Sequence, residues 1–134
     1  MKLVDEFLQM YTSSQRLYEM GQVGRFSSIT LIVHNDEAQV PHFHFRKKQA
    51  KKNQPKEGCI CLEKAAYFKH PGKTATLDST ERDLLIEFLQ KIEPITQMSY
   101  YERLCNKWNE LNRDNKDAKL IEKIPTMPDY ENGL

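Results

Sequence analysis

A chain of 134 residues and 15.8 kDa is long enough to bury a core of its own and points to one domain. Its net charge of +1 excludes a global field that would steer it to nucleic acid or membrane. No uncharged run approaches the ~18 residues of a membrane-crossing helix. Charge is nonetheless uneven along the chain. Residues 1–45 hold three basic and five acidic residues, residues 46–73 nine and two, and residues 74–134 eight and twelve. A basic middle between acidic ends is a local asymmetry that a partner can read. The three cysteines, Cys59, Cys61 and Cys105, are an odd number, and Met1-Lys2-Leu3-Val4-Asp5-Glu6 has acids where a signal sequence needs an apolar run. Free thiols and a cytoplasmic location are the expectation.

The first element expected is a helix over 1–20. Leu3, Val4, Phe7, Leu8 and Tyr11 form one apolar stripe, and Leu17, Tyr18 and Met20 extend it. Gly21-Gln22-Val23-Gly24 then reads as a break whose glycines permit positive φ. Ser27 to His34 is β-branched and apolar, a strand, and Asn35-Asp36-Glu37 is a turn. A second strand runs from Val40 to Arg46, with Pro41 at its start or on an edge. Lys47 to Lys56 reads as a long, mobile hairpin loop. Gly58 to Glu63 is a third strand, extending as far as Phe68, and Thr74 to Leu77 a short fourth.

Asp78 and Glu81 have the form of a capping box at the start of a helix whose stripe is Leu84, Leu85, Phe88, Leu89 and Ile92, ended by Pro94. A last helix places Tyr101, Leu104, Cys105, Trp108 and Leu111 on one face. From Asn112 the chain is polar and proline-containing, which reads as a loosely held tail.

Val40-Pro41-His42-Phe43-His44-Phe45-Arg46 is the stretch that looks chemical. Side chains alternate faces on a strand, so Phe43 and Phe45 point one way and His42 and His44 the other. An antiparallel register that sets the phenylalanines over Ile60 and Leu62 puts Cys59 and Cys61 beside the histidines. The set His42, His44, Cys59 and Cys61 has the donors that hold zinc tetrahedrally, although small buried cysteines are also ordinary core residues. Zinc is the one cofactor these residues suggest.

The same pair, with Arg46, has the makings of metal-independent RNA cleavage. One imidazole takes a proton, the other gives one, and a cation steadies the phosphorane; His34 and His70 are possible auxiliaries. A structural role is the third option, with His42 capping the turn through Asp36 and His44 bonding a backbone carbonyl. The basic stretch Arg46, Lys47, Lys48, Lys51, Lys52 and Lys56 can track phosphates or simply be a solvated hairpin tip. No Rossmann fingerprint, phosphate loop, Gly-x-Ser-x-Gly or His-Glu-x-x-His occurs.

The run Ile32-Val33-His34-Asn35-Asp36 followed by Val40-Pro41-His42-Phe43-His44 resembles a family of small bacterial proteins, domain of unknown function 4160. The likeness extends over residues ~27–112, through the strand at Cys59–Leu62, the helix Leu84–Ile92 and Trp108-Asn109. It implies a compact α+β fold and a toxin–antitoxin-like or regulatory module. Such a module binds a protein partner or nucleic acid, and His42 and His44 are its marked residues, framed by Pro41 and Phe43. The helix 1–20, the long basic loop and the cysteines depart from that pattern.

The expected architecture is therefore one α+β domain over 1–112 followed by a polar tail, 113–134. It comprises an added N-terminal helix (1–20), a three- to four-stranded antiparallel sheet (27–77) and two C-terminal helices covering one face (78–112).

Overall fold

The computed structural model describes residues 21–35, 40–48 and 56–134. The expected helix 1–20, most of the Asn35–Glu37 turn and most of the 47–56 loop, with Lys51 and Lys52, lie outside the described residues.

Alternating apolar residues build a four-stranded antiparallel sheet in the order β1 (Gln22–Phe26), β2 (Ile29–Ile32), β3 (His42–Lys47) and β4 (Lys56–Cys61). Three helices follow: α1 (Ser79–Gln90), α2 (Tyr100–Asn112) and the single turn α3 (Tyr130–Gly133). This is the expected α+β class. One face of the sheet, through Ile29, Leu31, Val33, Phe43, Phe45 and Ile60, packs with Leu85, Phe88, Leu89, Leu104 and Trp108 of the helices. At ~1.5–3 kcal/mol for each fully buried side chain, this layer is the main source of the fold's stability.

β3 is an inner strand, and Pro41 sits just before it, where its missing N–H costs no ladder bond. Its register with β4 pairs His42 with Cys61, Phe43 with Ile60, His44 with Cys59 and Phe45 with Gly58. Gly58, not Leu62, therefore lies across from Phe45. A Cβ there would fall 2.5 Å from the Phe45 ring and against the Ala75 carbonyl. The glycine lets a returning segment pass close to β4.

Several expectations are corrected. The supposed break at Gly21–Gly24 holds the start of β1. Only Gly21 takes positive φ, at 84°, while Gly24 lies beneath the Phe88 ring. Beyond Cys61 the chain turns rather than extending β4 to Phe68. It comes back antiparallel, with Tyr67 bridging Ile60 and Phe68 N–H donating to Cys59 O. Thr74–Leu77 contributes one bridge, Gly58 to Thr74, and no strand. Segments 66–68 and 74–75 thus both pair with the outer edge of β4 and cover it.

The Asp78–Glu81 capping box forms as expected, but the buried stripe of α1 is Leu85, Phe88 and Leu89. Leu84 is partly exposed, and Ile92, beyond the end of the helix, is 57 % exposed. The segment after Asn112 is docked rather than loosely held. Trp108 Nε1 donates to Lys119 O at 2.8 Å, and Asn109 clamps Ile121 through both its N–H and its carbonyl. Ile121 and Tyr130 are buried, and Tyr130 Oη donates to Cys61 O at 2.5 Å.

Candidate metal centre

The second face of β3 and β4 carries the chemistry. His42, His44, Cys59 and Cys61 share it, as strand alternation requires, and all four are buried. His42, His44 and Cys59 are each 1 % exposed or less. Their ligand atoms all lie within 4.8 Å of one another. Cys59 Sγ is 3.3 Å from His44 Nδ1. His42 Nδ1 is 2.9 Å from Val40 O, so the backbone carbonyl holds the Nδ1–H tautomer and sets the lone pair on Nε2. The expected cap on the Asn35–Glu37 turn through Asp36 lies outside the described residues. Cys61 is on the same face but outside the converging set.

His34 and His70 join the pair, so all four histidines of the chain gather here. The His34 ring stands 4.2 Å from that of His44, edge to face. The His70 ring is 5.3 Å from His44 and 6.2 Å from His42. Phe68 stacks on His42 at 4.1 Å and 12°, and Trp108 comes within 5.2 Å of the same ring. Asn112 is fully buried and donates to His34 O at 3.1 Å, tying the end of the β2 segment to α2.

A second triad, His34, His44 and Glu57, also converges, sharing His44 with the first. Glu57 is 8 % exposed at its side chain. Its Oε1 lies 3.6 Å from His44 Nδ1 and 3.7 Å from Arg46 Nη2, and its Oε2 accepts from Lys73 Nζ. Glu57 escaped the sequence reading, although it shares the parity of Cys59 and Cys61, two residues earlier on the same strand. His34 and His70 were legible only as auxiliaries, because nothing local to them says that the chain folds back onto His42 and His44.

Burial is the main force on the His44 imidazole and pushes its pKa down to about 3; charge on His34, His42, His70 and Lys73 would oppose protonation further. His44 is therefore a neutral ring at any physiological pH. Burial also raises the Cys61 thiol, with Lys64 pulling weakly the other way. Cys105, on α2, is pushed up to about 12 by burial.

The basic residues divide. Arg46 is exposed and turned toward Glu57. Lys47 is committed inward, donating to Thr76 O at 2.7 Å and pairing with Glu81 at 3.2 Å. Lys48 and Lys56 are exposed at the end of the β3–β4 ladder. Among the described residues, no helix is long and apolar enough to cross a membrane. Comparison with family models, curated proteins and solved structures finds no match to this chain. Its function has to be read from the residues themselves.

Proposed function

We propose that this chain is a small metal-binding domain whose ligands are His42, His44 and Cys59. The observation that carries the reading is the meeting of two imidazoles and a thiol within 4.8 Å on one buried sheet face. Two nitrogens and a sulfur are a donor set that suits zinc. The Val40 carbonyl on His42 Nδ1 is the orienting partner that metal-ligating histidines usually have. Three protein ligands leave one tetrahedral position for a further group.

The same burial weighs against the ribonuclease reading of His42, His44 and Arg46. That chemistry needs one imidazole to give a proton, and a buried neutral His44 is a poor proton donor at pH 7. Elemental analysis of protein purified without a metal-affinity tag tests the metal reading. The expected result is about one zinc per chain after zinc dialysis, lost in the His42→Ala/His44→Ala double variant. A zinc-free wild type would overturn it.

A second reading is a regulatory, toxin–antitoxin-like module binding a protein partner or nucleic acid. It draws on exposed Lys48 and Lys56, and on Arg46 beside them. Lys51 and Lys52 belong to the same stretch of sequence. For nucleic acid, the affinity for a labelled RNA should fall steeply with salt and drop in Lys48→Glu/Lys56→Glu. Binding that ignores both changes would remove the nucleic-acid form of this reading.

A further inference from the structure

A cavity of about 510 Å³ adjoins the triad. Cys59 belongs to its wall, and so does His70, whose ring faces those of His42 and His44. The cavity therefore begins at a proposed metal ligand. The rest of the wall is the returning segment 67–76. Tyr67, Phe68, Pro71 and Ala75 make it mainly apolar; among the described residues Lys69 and Lys73 are its charged groups and no carboxylate lines it. Glu57 pairs with Lys73, and Lys69 is exposed. The size falls in the ~300–1,000 Å³ range of small-molecule pockets.

We infer that this cavity is a small-molecule site. It takes a compound with an anionic, metal-coordinating head and a flat apolar body, the head completing the metal's coordination and the body lying in the cavity. The inference rests on the metal reading above. Its physical content is a division of labour. A three-ligand centre leaves a position for an outside donor. The lysine-bearing wall without acids favours a negative head over a neutral or cationic one. The apolar surface of Tyr67, Phe68 and Ala75 rewards a carbon body that water would otherwise surround.

Two hydroxamates separate head from body. Acetohydroxamate and benzohydroxamate share the chelating group, and only the second carries a ring. Calorimetry on zinc-loaded protein, with zinc content checked after each titration, should find benzohydroxamate about tenfold tighter or more. Neither probe should bind the zinc-free protein. Ala75→Phe, which fills the wall, should erase the difference between the two. Lys69→Glu, an exposed substitution that leaves packing intact, should weaken both about threefold or more.

Equal affinities for the two probes, or a difference that survives Ala75→Phe, would overturn the cavity as the site. Zinc retained with no binding of either probe would overturn the inference and leave the metal reading standing. Zinc that never binds would bring down both.

Discussion

Loading the triad should raise the melting temperature, and the size of the rise can be worked out. An ion that binds only the folded chain at 100 times its dissociation constant adds about 2.7 kcal/mol. For a 134-residue domain each kcal/mol moves the midpoint by roughly 3–5 °C. Chelator-buffered zinc held at that ratio should therefore shift wild type by about 10 °C in a thermal-unfolding assay. Removing one ligand by Cys59→Ser or His42→Asn, if it weakens the site 100-fold, leaves about 0.4 kcal/mol at the same free zinc, or roughly 1–2 °C.

Each shift is read against the same variant without metal, so any loss of basal stability cancels. Cys61→Ser is the control. Cys61 is buried on the same face but outside the triad, and its variant should keep the full shift. Wild type that fails to shift would refute the reasoning. So would a shift that Cys61→Ser removes and Cys59→Ser does not. Loss in His34→Asn and Glu57→Gln, with Cys59→Ser unaffected, would move the seat to the second triad.

Three further outcomes follow from the packing and charge around the site. His44 has a folded pKa of about 3 against an ordinary 6.5, so below pH 6.5 the unfolded chain binds the extra proton. Metal-free stability should then fall as pH drops, by about 1.4 kcal/mol per unit between 6.5 and about 3; a wild-type minus His44→Asn difference that is flat in urea titrations over that window would contradict the burial of this ring. Tyr130→Phe removes a buried hydrogen bond to Cys61 O and should cost about 1–3 kcal/mol, seen as a lower urea midpoint with unchanged slope; no change would mean that the C-terminal segment does not hold β4. Gly58→Ala would set a methyl against the Phe45 ring and the Ala75 carbonyl and should destabilise by roughly 1–3 kcal/mol in the same assay, whereas a neutral result would show that segment 74–75 yields.

The site face was legible because strand parity is local. Once 40–46 reads as a strand, His42 and His44 must share a side, and the antiparallel register that sets Phe43 over Ile60 brings Cys59 and Cys61 to it. Which of the two cysteines joins was not legible, since the choice depends on where Phe68, His70 and the returning segment settle. β1 was missed for a related reason. Gly21 and Gly24 carry turn propensity, yet Phe88, itself stacked on Phe26 and Tyr100, needs the space over Gly24. Tertiary packing overrides the local preference there. Ile121 and Tyr130 are nine residues apart in a polar segment, too sparse for any periodic signal. Their docking depends on Asn109 and on a carbonyl of β4, which only the folded chain brings near.

β3 has both faces buried, and the two are built on different terms. Phe43 and Phe45 face an ordinary apolar layer, where burial is favourable without further partners. His42 and His44 take two imidazoles out of water on the other side, and desolvation opposes that burial unless polar contacts offset it. A strand whose only task was packing would be served at lower cost by Val or Ile at both positions, since β-branched residues suit an inner strand. The same reasoning applies to Glu57, a carboxylate 8 % exposed and held by Lys73 and Arg46 beside His44. Three polar side chains at alternate positions of two paired strands break the local packing rule together and on the same face. Departures of that kind mark functional sites. On the proposed metal reading, the imidazoles, the thiol and the cavity at Cys59 form one unit set in the surrounding core.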